Sequence, residues 1–201
     1  MKLYYYPGAC SLSPHIALRE AGLKFDLEQV DFETGRTKKG EDFAKVNPKG
    51  YVPALMLDDG QVLTETATIV QYIADKAPGA KLAPQAGTME RYRLQEWLNY
   101  IATELHKSFG PLFASDTPKD YQEIVKKNLA KRFDYLEKHL AGRQHLTGSG
   151  FTIADGYCFT VLGWAGQVGI SLDKWPNIKA YLARIAARPQ VAAALKAEGL
   201  S

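Results

Sequence analysis

Between Pro78 and Gly87 the chain changes its pattern, and this change limits the possible folds more than any other feature. Pro78, Gly79, Pro84 and Gly87 crowd this stretch, a combination that ends helices and opens turns. Before it, apolar runs alternate with helix-like segments: strand at 2–6, helix at 13–21 ending at Gly22, strand at 25–31, short helix near 41–46, strands at 54–57 and 62–64, helix at 66–75. Asp58-Asp59-Gly60 joins the last two strands and is a hairpin signal, so part of the sheet is antiparallel. After the break, apolar residues recur at intervals of three and four: Trp97, Ile101 and Leu105; Val125, Leu129, Phe133, Leu136 and Leu140; Tyr157, Val161, Trp164 and Val168. That spacing marks the buried faces of helices. The fold class is α/β plus all-α, with an α/β domain over 1–78, a linker over 79–87 and an all-helical domain over 88–201. Thr152-Ile153-Ala154-Asp155 reads as a capping box with Asp in place of Glu, which makes Asp155 structural.

Composition excludes several classes. The 201 residues are 46% hydrophobic, enough to build a core in each of two domains. A net charge of +3 is spread along the chain, and the basic residues Lys126, Lys127, Lys131 and Arg132 read as a solvated helix face rather than a nucleic-acid patch. The uncharged stretch from Gly156 to Leu172 contains Thr160, Gln167, Ser171 and four glycines, a poor membrane span. The N-terminus has no signal-peptide pattern. Cys10 and Cys158 read as reduced thiols, and the protein as cytoplasmic. His15, His106, His139 and His145 have no ligand spacing with either cysteine, so no metal site is expected.

Two passages suggest chemistry. Cys10 lies on the loop Tyr6-Pro7-Gly8-Ala9-Cys10-Ser11, between a strand-like run and a helix start that Ser11 or Ser13 can cap. A thiol at a helix N-terminus is expected to have a pKa below the ordinary value of about 8.5, because the free N–H groups and the helix dipole favour the thiolate. In Asn47-Pro48-Lys49-Gly50-Tyr51-Val52-Pro53, a proline precedes a strand. If Val52-Pro53 is cis, Val52 is left to pair with a peptide-like ligand as an added strand. Downstream, Glu65 and Thr66 open a helix, where a carboxylate beside free N–H groups suits a zwitterionic amino-acid end.

Together these segments resemble a bacterial beta-class glutathione transferase. The match runs through residues 7–15, 47–53, 63–65, 96–107 and 151–155 and the terminal Ala-Glu-Gly-Leu. The resemblance implies a thioredoxin-like N-terminal domain followed by a helical bundle, a homodimer, and glutathione as co-substrate, conjugated to small hydrophobic electrophiles. It implies catalytic roles for Cys10, Ser11 and His106, with Cys10 against the glutathione sulfur. Val52 ahead of cis-Pro53 pairs with the peptide, and Glu65 and Thr66 hold the γ-glutamyl end. Asn99, Thr103 and Glu104 line the glutathione site, partly across the dimer interface. Neither nucleic acid nor membrane is an expected partner.

This chain departs from its relatives at two places. Gly35 stands where many relatives carry a glutathione-contacting lysine, leaving Arg36, Lys38 and Lys39 as candidate substitutes. Thr66 stands where a glycine or another small residue is frequent. Cys10 also permits a monothiol cycle of disulfide reduction or peroxide reduction. Because Ser13 occupies the position a second cysteine would need, a second glutathione must resolve the mixed disulfide. The alternative from another class is a non-catalytic carrier of hydrophobic compounds that binds glutathione, with Tyr157 and Trp164 lining its pocket.

Overall fold

The computed structural model describes residues 1–148 and 150–200. They form two compact units: residues 1–83 together with 188–200, and residues 84–187.

The first unit contains β1 (Lys2–Tyr5), α1 (Leu12–Glu20), β2 (Asp26–Asp31), β3 (Arg36–Thr37), α2 (Phe43–Val46), β4 (Ala54–Met56), β5 (Val62–Thr64) and α3 (Thr66–Lys76). The sheet order is β3-β2-β1-β4-β5. β1 and β2 are parallel, with Leu3 opposite Leu27, and the other pairings are antiparallel. Alternation along the strands separates two apolar faces. Tyr4, Val30 and Ala54 pack with Phe43 and Val46 of α2. Leu3 and Leu55 face the other way and are fully buried, as are Ile16 of α1 and Ile69 and Ile73 of α3. The Asp58–Gly60 hairpin closes with Gly60 at φ +86°, where a residue with a side chain is strained. The two-residue strand β3 was not expected from the sequence.

The second unit contains α4 (Met89–Tyr100), a six-residue π-helical segment (Ile101–His106), α5 (Lys107–Phe113), α6 (Lys119–Leu140), α7 (Ile153–Leu162) and α8 (Pro176–Ala186). Ile101, Leu105, Val125, Leu129, Phe133, Leu136, Leu140, Tyr157, Val161 and Trp164 are buried, as the three-and-four spacing predicts. Trp97 and Val168 are half-buried instead: the Trp97 and His139 ring centres lie 4.5 Å apart, and Val168 lies past the end of α7 at Leu162. Asp155 is structural, as expected: its carboxylate accepts the N–H groups of Leu146 and Thr152, each at 2.9 Å, and the Tyr181 hydroxyl at 3.0 Å.

The last helix, α9 (Pro189–Ala197), packs against α1 of the first unit. This corrects the grouping of residues 88–201 into one helical domain. Val191 and Ala194 are buried, and Arg188 grips Glu20 with Nε at 2.8 Å and Nη2 at 2.9 Å. Such a fork gives both geometric definition and strength.

Candidate functional site

The loop after β1 is held from within. Ala9 N–H donates to the Tyr6 carbonyl at 3.1 Å, and the Ser11 hydroxyl accepts the Tyr6 N–H at 3.1 Å while donating to its carbonyl at 3.2 Å. Ser11 is fully buried, and its hydroxyl is committed to this strand end. It makes no side-chain cap on α1. A catalytic part for Ser11 therefore finds no support in its surroundings; what Ser11 does is fix the loop.

Cys10 is half-buried and donates its S–H to the Val52 carbonyl at 3.3 Å. Burial pushes the thiol up to about 11; a hydrogen bond from the Thr66 side chain and backbone bonds at Cys10 and Ser11 oppose that rise, and the Glu65 charge adds to it. This reverses the expectation of a depressed pKa. Desolvation of the anion outweighs the helix end, so Cys10 is a neutral hydrogen-bond donor at physiological pH.

The second element is built on Asn47. Gly50 N–H donates to its carbonyl at 2.9 Å and Lys49 N–H to its side-chain oxygen at 3.1 Å, while Asn47 Nδ2 donates to the Tyr51 carbonyl at 2.7 Å. Pro48 follows the turn's first residue, where its fixed φ is favoured. Val52 is buried, and the Val52-Pro53 bond is cis.

Glu65 sits at the N-terminal boundary of α3 with φ +69°. A non-glycine residue there costs about 1–3 kcal/mol, and such strain concentrates at functional sites. Its carboxylate oxygen Oε1 accepts from Lys49 Nζ at 2.6 Å and the Tyr51 hydroxyl at 2.8 Å. The hydrogen bonds to Glu65 raise the pKa of both donors. Thr66 is buried. Thus Cys10, Val52, Pro53, Glu65 and Thr66 all lie in the first unit. Lys49 and Tyr51 were missed, although both stand within the Asn47–Pro53 motif and upstream of an acidic helix start.

The remaining candidates lie on the second unit. Asn99 is exposed at the end of α4, and the exposed Thr103 donates its hydroxyl to the Asn99 carbonyl at 3.0 Å. Glu104 receives the Arg132 fork at 3.1 and 2.8 Å. His106 Nδ1 lies 2.6 Å from the Tyr157 hydroxyl, and its ring meets Trp164 edge-on at 5.0 Å. Thr103, Glu104 and His106 all sit in the π-helical segment, a geometry frequent at functional sites. Tyr157 and Trp164 are buried core residues. Among the described residues, no three His, Cys, Asp or Glu side chains gather as a metal site, and no helix is long and apolar enough to cross a membrane.

Comparison with known proteins decides the family. Residues 1–75 match the glutathione S-transferase N-terminal domain, and residues 100–189 match its C-terminal domain. The chain belongs to the glutathione S-transferase family. It is 50% identical over 200 residues to the glutathione S-transferase GstA of Escherichia coli O157:H7, covering all of both chains. A sphingomonad glutathione S-transferase, solved in complex with glutathione, superposes with a TM-score of 0.97 at 48% identity over the whole of both chains. The bacterial beta-class enzyme of Sphingomonas chungbukensis gives 0.97 at 49%, again over both entire chains. The family thus accounts for the thioredoxin-like sheet and the helical second unit alike.

Proposed function

We propose that this glutathione transferase stabilises the sulfur of bound glutathione beside the Cys10 S–H and directs it at electrophilic carbon in small hydrophobic compounds. Glu65 takes the γ-glutamyl ammonium, Thr66 lies at the same end, and Val52 faces the peptide backbone. The thiol proton of glutathione leaves to solvent. The thiolate then forms the carbon–sulfur bond as the leaving group departs with its electron pair. The protein contributes positioning and electrostatic stabilisation.

One observation carries the choice of conjugation over redox chemistry: Cys10 is a protonated thiol that donates to Val52. A donor of this kind can turn toward a neighbouring thiolate, whereas attack on a disulfide requires Cys10 itself to ionise. Cys158 is fully buried and unsuited to resolving a mixed disulfide. The roles given to His106, Asn99, Thr103 and Glu104 rest on family membership alone, as do the homodimer and the cytoplasmic location.

Cys10→Ala provides the test. Conjugation of glutathione to a chloro-dinitro aromatic should persist, with a several-fold loss from the missing donor. Reduction of a glutathione mixed disulfide should be negligible in wild type and variant alike. A wild-type reductase activity that vanishes in Cys10→Ala would place the redox cycle first.

A further inference from the structure

We propose that the cleft between α4 and α6 of the second unit binds an aromatic monocarboxylate, with the ligand ring laid on Trp97 and Tyr135 and its carboxylate held by Arg143 and Thr147. None of these residues is among those assigned to glutathione above.

The cleft has a volume of about 580 Å³, within the range of small-molecule sites. Three near-parallel rings form its aromatic side. The Trp97 and Tyr135 centres lie 6.1 Å apart at 31°, and those of Tyr135 and His139 lie 6.4 Å apart at 23°. Tyr135 is 52% exposed, so a further aromatic plane can extend the series. The polar side begins at the end of α6. His139 Nε2–H donates to the Leu146 carbonyl at 2.8 Å, so its Nδ1 accepts from Arg143 Nη1 at 3.2 Å. The guanidinium is thereby anchored at the cleft, and among the described residues it meets no carboxylate. The Thr147 hydroxyl lines the same cleft, is buried, and has no hydrogen-bond partner among the described residues. A buried polar atom in this state costs stability until a partner reaches it.

An arginine without a carboxylate partner and an unpartnered hydroxyl close by in sequence call for a head group of two acceptor oxygens, which the guanidinium fork fits. The rings call for a flat apolar body behind it. The α4 wall then sets the charge count. Arg93 Nη1 holds Glu96 at 2.9 Å, while Glu90 stands in the first turn of α4, where the helix dipole favours a carboxylate. That wall carries two negative charges against one positive, so a second anionic group on the ligand meets repulsion there. The cleft therefore selects a monoanion over a dianion.

The test is calorimetric titration of the full-length protein with naphthoate at saturating glutathione, with thermal melting and sedimentation velocity on the same samples. Arg143→Met should weaken binding about tenfold, the scale of one lost charge-assisted hydrogen bond, and leave the melting temperature of the free protein unchanged. Thr147→Val should weaken it several-fold. Lys138→Met, which removes an exposed charge of α6, should bind as the wild type does. The neutral naphthamide should bind equally to wild type and Arg143→Met, and a naphthalene dicarboxylate should bind less tightly than naphthoate. Conjugation turnover should be indifferent to naphthoate. Wild-type affinity in Arg143→Met overturns the assignment, as does an Arg143→Met penalty equally large for the amide. Inhibition of conjugation that tracks naphthoate occupancy moves the ligand to the catalytic site and overturns it too. Failure of naphthoate to bind overturns it outright, and if Trp97→Glu then converts a dimer to monomers, the occupant of the cleft is a second copy of the chain.

Discussion

His15 donates its Nδ1–H to the Glu198 carboxylate at 2.8 Å, and both side chains are fully buried. Arg19 Nε–H donates to His15 Nε2 at 2.8 Å, which leaves the imidazole neutral with its proton on Nδ1. The other Glu198 oxygen accepts the Gly8 N–H at 2.9 Å. One carboxylate near the end of the chain thus ties down both α1 and the loop leading to Cys10. Glu198→Ala removes the acceptor of the buried His15 Nδ1–H and of the part-buried Gly8 N–H and should cost about 2–4 kcal/mol. Denaturant unfolding measures the loss, and an unchanged midpoint would refute it.

The protonated state of Cys10 predicts its reactivity. With the pKa raised by burial to about 11, alkylation by iodoacetamide should be slow at neutral pH and accelerate up to that range. Cys158, fully buried, should stay unmodified in the native protein. Rate constants measured from pH 6 to 11 test this, and a plateau reached by pH 8 would contradict it.

Asp155 should be among the most sensitive positions in the helical unit. Asp155→Ala removes the acceptor for two backbone N–H groups and the Tyr181 hydroxyl, all buried. A cost of about 3–5 kcal/mol is expected from several unsatisfied groups together with a lost helix cap. Asp155→Asn keeps the shape and part of the accepting capacity, so its thermal midpoint should fall between those of wild type and Asp155→Ala.

Glu28 supplies a pH dependence. Burial pushes its carboxyl up, but hydrogen bonds from Lys39 and Thr37 and the Lys39 charge prevail, so the folded-state pKa lies below the ordinary 4.5. A depressed carboxyl stabilises the fold above its unfolded pKa, and the contribution disappears as pH falls through the folded value. Lys39→Met should therefore move the acid-unfolding midpoint to higher pH. Circular dichroism between pH 7 and 2 reads that shift, and a coincident pair of curves would count against it.

Local features of this fold were legible because their causes are local. The Asp58–Gly60 hairpin and the helix opening at Thr66 follow from turn chemistry and periodicity, and the Thr152–Asp155 cap from spacing. β3 escaped notice because Arg36 and Thr37 carry no strand pattern; their pairing with Asp31 and Val30 is created by the sheet. Nor does the periodicity of α9 say which surface it covers, which depends on Glu20, His15 and Gly8 far away in sequence. At the site, residue types pointed to Cys10, Val52, Glu65 and Thr66, but not to the burial that keeps Cys10 protonated. A helix end is visible in sequence, whereas the desolvation that outweighs it depends on what packs around the sulfur. Lys49 was overlooked for a similar reason, since only the turn at Asn47 carries it to Glu65.

The location of α9 also bears on how the protein is made. The α/β unit lacks its closing helix until residues 188–200 have been synthesised, after the whole helical unit. At roughly 5–20 residues per second on the ribosome, that is a delay of about 6–24 s after Ala83. Throughout this interval the bonds of Arg188 to Glu20 and of His15 and Gly8 to Glu198 are unmade, and the thiol loop has only its own internal hydrogen bonds. The order of emergence therefore favours completion of the helical unit first, with the first-made segment reaching its finished state last.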